Sequence, residues 1–157
     1  MELDELLAQA TCAVRDGSAT DGGGDVKGTA WLVKDTGHLL TAGHVVQSIS
    51  TEGVWVRFPD TDRDVWASSV VPPENNKSLA IDFAVLSLVE NTRRQPLPFI
   101  LASNVEGRVR ARGYGSNLPN AQHGGTGTLL GHYKRDNDSA KYLFQYESFW
   151  ATGTRSR

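Results

Sequence analysis

The chain of 157 residues has a single cysteine, Cys12. That excludes an internal disulfide and makes a reducing compartment, or simple indifference to redox, the expected setting. No apolar run approaches the ~18 residues needed to span a bilayer. Charge of one sign is not in excess either. Sixteen Lys and Arg stand against 18 Asp and Glu, a net of −2, so neither nucleic acid nor a membrane is an expected partner. Residues 1–10 lack the basic start and the longer apolar stretch of a secretory signal, and the expected localisation is cytoplasmic. Gly22-Gly23-Gly24 is not followed by the Gly-Lys-Ser/Thr of a phosphate cradle and reads as a hairpin loop. His38, His44, His123 and His132 lack the cysteine or carboxylate spacing of a metal site. No metal and no other cofactor is expected.

What is present is a series of short strands. Leu3, Leu6, Leu7 and Ala10 fall at helical spacing and predict a short N-terminal helix over 1–10. Residues 11–15 read as a first strand with Cys12 as a small buried hydrophobe. Strands follow at 29–33 and 38–41, then one helical turn over 45–49. In 53–58, Val54, Val56 and Phe58 alternate against Trp55 and Arg57. A strand at 65–71 is ended by Pro72-Pro73, and 81–89 is the most apolar and central one. Six or seven strands by residue 89, with turn signals between them, read as a small all-β barrel over 11–90.

Residues 91–98 are polar, hold Arg93 and Arg94, and read as a linker. Strands at 108–114, 127–133 and 141–146 belong to a second block over 99–157, too few to close a barrel of their own. Arg108, Arg110 and Arg112 alternate onto one strand face, an ordinary exposed face in a chain of negative charge. Phe144, Tyr146, Phe149 and Trp150 read as core packing.

The candidate chemistry lies in two segments. Leu40-Thr41-Ala42-Gly43-His44-Val45-Val46 delivers a histidine where a strand ends, beside small residues that admit close backbone approach. That placement suits a general base. Asp82-Phe83-Ala84-Val85-Leu86 puts one carboxylate at the head of an apolar strand, 38 residues after His44. Together with Gly28-Thr29-Ala30-Trp31-Leu32-Val33, these segments resemble the trypsin-like (chymotrypsin-fold) serine peptidases, particularly their bacterial branch.

The resemblance implies a double β-barrel, here with the second barrel incomplete, and a polypeptide substrate or protein partner. It assigns His44 as catalytic base and Asp82 as the carboxylate that orients it. It also implies a Gly-x-Ser-Gly nucleophile loop, which the chain lacks. If Gly153 stands for the first glycine of that loop, Arg155 occupies the place of the serine and Ser156 falls one residue late. The expectation is a serine endopeptidase-type domain that ends before its nucleophile and is inactive as written. A frameshift or premature stop would produce such a sequence. The alternative is a non-catalytic pseudopeptidase that serves as a protein-interaction module.

Overall fold

A computed structural model describes residues 2–18, 24–71, 82–98, 107–114, 121–133, 143–150 and 155–156. The chain opens with helix α1 (Leu3–Ala10) and continues directly into β1 (Thr11–Arg15). The strands β2 (Val26–Leu32) and β3 (His38–Thr41) precede a short helix, α2 (Gly43–Gln47). Then come β4 (Gly53–Arg57), β5 (Val65–Val71) and β6 (Ala84–Leu88). These six strands close into an antiparallel barrel in the order β1-β2-β3-β6-β5-β4. A separate four-stranded sheet has the order β10-β9-β8-β7. It is built from β7 (Gly107–Gly113), β8 (His123–Tyr133), β9 (Leu143–Trp150) and β10 (Arg155–Ser156). The architecture is the expected one, a closed first barrel with an open second sheet.

Alternation along each barrel strand builds the core, because successive side chains point to opposite faces. Ala30 and Leu32 of β2, Leu39 and Thr41 of β3, Val54 and Val56 of β4, and Ala84, Leu86 and Leu88 of β6 are all buried. Strand β1 is buried along its whole length. Cys12 and Val14 join the barrel core, while β7 packs against β1 from outside. Closure comes from β1 pairing with β4, with Val14 opposite Val56. It leaves none of the six strands with an unpaired edge. On the outer face Trp55 and Trp66 sit directly across β4 and β5, their rings edge to face at 5.3 Å.

Polar groups tie the parts together. The carboxylate of Asp64 is almost fully buried, 2.7 Å from Arg57 Nε and 3.5 Å from Arg15 Nε. The 91–98 segment is fastened to the barrel. Leu97 donates its N–H to Leu32 O at 2.9 Å and packs on the core. The Arg94 guanidinium donates to the carbonyls of Gln9 and Pro59 and lies over the Phe58 ring. Helix α1 is clasped in turn by Arg110, which pairs with Asp4, and by Gln122, whose amide donates to Ala8 O and Thr11 O.

Several boundaries differ from those read in the sequence. Strand β2 starts at Val26 because a bulge opposite Val14–Arg15 lets pairing continue beyond Gly28. Strand β8 begins at His123: Gly124, Gly125 and Gly127 carry no apolar pattern, yet their backbones pair with β7. Arg155–Ser156, beyond the strands read at 108–114, 127–133 and 141–146, pairs with β9 as β10. His38 is half-exposed, with Nδ1 2.8 Å from Oδ2 of the exposed Asp35. Much of the 22–24 glycine run and the side chains of the 143–150 aromatics lie outside the described residues.

Candidate active site

Strand β3 is fastened at its end by Thr41, whose buried hydroxyl donates to Thr29 O at 2.8 Å. Ala42 is still extended, and the chain then turns into α2 at Gly43. His44 therefore lies in the first turn of a helix and not at a strand end, the one correction the site requires. The amphipathic character of this single turn explains the helix. Val45 and Val46 plug the barrel end, so that the His44 side chain, 72% exposed, faces outward.

Asp82 stands two residues before β6 and meets that turn with both carboxylate oxygens. Oδ1 accepts the backbone N–H of His44 at 2.7 Å, and Oδ2 lies 2.7 Å from His44 Nδ1. Partial burial pushes the Asp82 carboxyl up. The hydrogen bonds from the His44 ring, the His44 backbone and the Gly43 backbone outweigh it and hold the group below its ordinary range. An ionised carboxylate can only accept, so Nδ1 carries the proton. In the neutral ring Nε2 then presents a lone pair to the outside. Gly43 makes the approach feasible, since a Cβ there would stand 3.1 Å from Asp82 Oδ1 and 3.1 Å from Phe83 N and O.

The pair is thus brought together as the sequence suggests. Among the described residues no hydroxyl or thiol hydrogen-bonds His44 Nε2. Ser156 lies on the two-residue strand β10, opposite Ser148 of β9. Gly153 and Thr154 lie outside the described residues. Cys12 is sealed in the barrel core, and burial pushes its thiol far up, away from reactivity. Among the described residues no His, Cys, Asp and Glu cluster could hold a metal ion. Sequence reasoning missed the link from this site to the second sheet. Thr29 Oγ1 accepts the N–H of Tyr114 at 3.0 Å, and Gly113 packs closely enough that a Cβ would stand 3.0 Å from the same oxygen. The available signal was Gly113-Tyr114-Gly115 at the end of a strand.

The family of trypsin-like peptidase domains matches residues 28–155. The chain belongs to that family. No curated protein matches it at a significant level. Among solved structures it is similar to the Rv3671c protease from M. tuberculosis in its active form, with TM-score 0.61 and 15% identity over 94% of this chain and 62% of that one. It is also similar to the MamO protease domain from Magnetospirillum magneticum, with TM-score 0.62 and 16% identity over 98% of this chain and 84% of that one. The HtrA-type protease AlgW, solved with a decapeptide, gives TM-score 0.57 and 19% identity over 82% of this chain and 37% of its own. The trypsin-like domain therefore spans less than two thirds of the Rv3671c chain and well under half of AlgW. At these identities the likeness shows the serine-peptidase fold.

Proposed function

We propose that His44 is the general base and Asp82 its orienting partner for peptide-bond hydrolysis by a His-Asp-Ser arrangement on this fold. The observation that carries the reading is the two-point seat of Asp82 on His44, through backbone N–H and ring Nδ1, each at 2.7 Å. A serine hydroxyl is a weak nucleophile until an imidazole takes its proton. With Nδ1–H held by Asp82, Nε2 is the atom that accepts a serine Oγ proton as the oxygen attacks the scissile carbonyl. It later returns the proton to the leaving amine, and Asp82 stabilises the imidazolium formed between the two steps. The substrate class is a polypeptide. No Gly-x-Ser-Gly run is present in these 157 residues, and the expectation is that this polypeptide carries the base half of the machinery without turning over peptides.

A second reading, a binding module on the same scaffold, is favoured by one observation. The barrel closes without the second sheet. Hydrolysis of p-nitrophenyl acetate and of an unstructured peptide mixture by the full chain separates the two. The expected result is no peptide turnover, together with slow esterolysis that falls in His44→Ala and Asp82→Ala and is indifferent to Ser156→Ala. Peptide turnover lost in Ser156→Ala would refute the inactivity. Esterolysis indifferent to His44 would leave the module reading.

A further inference from the structure

Gly28 lies within β2, where glycine weakens a strand. Its φ lies outside the left-handed region, so the backbone does not require glycine there. Close approach does. A Cβ on residue 28 would stand 2.9 Å from both methyl groups of Val45. Val45 is buried, and a β-branched side chain has little freedom at χ1, so it cannot step aside. Its neighbour Val46 is fully buried in the barrel end. Restoring ordinary contact from 2.9 Å to 3.4 Å therefore requires α2 itself to rise by about 0.5 Å. His44 immediately precedes Val45 and moves with it. Bonds of 2.7 Å to Asp82 would lengthen by at most that amount, to about 3.2 Å, where the charge-assisted range is left behind.

We infer that Gly28 is a positioning residue for His44: the absence of a side chain there lets Val45 seat α2 at the depth at which both Asp82 oxygens reach His44. The inference rests on the reading of His44 as the base, and it assigns to Gly28 no contact with substrate. It also places the height of α2 under the control of one strand position remote in sequence from both members of the pair.

The test reads the tautomer of His44 in the full chain by long-range 1H–15N correlation, a quantity that a loss of global stability alone does not move. The neutral ring is expected as the Nδ1–H tautomer in the parent and not in Asp82→Ala. In Gly28→Ala the Nδ1–H fraction falls about twofold or more, and Gly28→Ala/Val45→Ala restores it. The His38 ring, held by Asp35, serves as an internal reference and stays unchanged. Should Gly28→Ala fail to fold, Val45→Ile fills the same gap from the other side, and the same fall is expected. Parent-like tautomer fractions in the folded Gly28→Ala or Val45→Ile variants, with loss in Asp82→Ala, would overturn the role of Gly28 and leave the base reading intact. An Asp82→Ala protein that keeps the Nδ1–H tautomer would overturn the base reading and this inference with it.

Discussion

Replacing Asp82 by Asn preserves shape and volume but changes the pattern of donors and acceptors. The carboxylate accepts on both oxygens, the His44 backbone N–H on Oδ1 and the ring on Oδ2. The amide offers one acceptor and one donor group. The backbone N–H cannot change character, whereas the ring can. The amide oxygen therefore turns to the backbone, its NH2 faces Nδ1, and the ring adopts the Nε2–H tautomer. That tautomer has no lone pair on the outward nitrogen, so the base function is lost while the fold is kept. The energetic cost follows from exchanging one charge-assisted bond for a neutral one and weakening the other. Asp82 is 24% exposed, and solvent moderates the loss to about 1–2 kcal/mol at neutral pH.

The pH dependence supplies the sharper test. The folded-state pKa of Asp82 lies below its ordinary value of 3.8. A depressed carboxyl contributes stability that is present above the unfolded pKa and is lost as pH falls through the folded one. The difference in unfolding free energy between the parent and Asp82→Asn is therefore expected to shrink as the pH falls below about 4. Urea unfolding of both proteins across this range measures it, with the imidazole tautomer read by NMR in parallel. A difference that stays level below pH 4, or an Asp82→Asn protein that keeps Nδ1–H, would refute the reasoning.

Two further outcomes test how the scaffold is held. Asp64→Asn removes the buried charge between Arg15 and Arg57 and leaves Arg15, 8% exposed, without its counter-charge. Urea unfolding is expected to show a loss of about 3–5 kcal/mol, with much of it regained in Arg15→Met/Asp64→Asn; a loss below about 1 kcal/mol would contradict the burial argument. Arg94→Ala removes two hydrogen bonds to the Gln9 and Pro59 carbonyls and the contact over Phe58. It should cost about 1–3 kcal/mol and lower Tm by several degrees in calorimetry, while Arg94→Lys, which cannot span both carbonyls, recovers only part.

The parts of the fold legible in the sequence are those in which burial and strand period coincide. Strands β1, β3 and β5 lie where short β-prone runs between turn residues put them; β3 alternates with one face in the barrel core, while β1 is buried on both faces. The pattern fails where backbone pairing proceeds without side chains to signal it, as in the glycine-rich start of β8, and where an element has only two residues, as in β10. At the site, His44 and Asp82 were legible because their segments, in this order and at this spacing, resemble the histidine and aspartate segments of the trypsin-like peptidases. The helical turn was legible over 45–49, but its start at Gly43, which takes in His44, was not, since a single turn carries too few residues for its period to fix its ends. The close packing of Gly28 on Val45 was hidden for a different reason. It is a contact between elements distant in sequence, and a glycine in a strand does not disclose whether backbone freedom or crowding calls for it.

The division of the molecule bears on how a base and a nucleophile are kept in register. His44 and Asp82 are both set by the closed barrel: α2 is plugged into its end by Val45 and Val46, and Asp82 leads into β6. Closure makes that geometry over-determined, because moving either residue disturbs strands paired on both sides. The second sheet has open edges among the described residues and meets the barrel near this site through the Tyr114 N–H on Thr29 Oγ1. Thr29 in turn lends its carbonyl to Thr41, three residues before His44. The same short run of β2 thus touches both halves: Gly28 supports α2, and Thr29 anchors the end of β3 and the end of β7. This stretch of β2 is a route by which a displacement of the second sheet reaches the base, beside the contacts of β7 with β1 and α1. The barrel can accordingly hold a poised His44–Asp82 pair whether or not a competent nucleophile faces it.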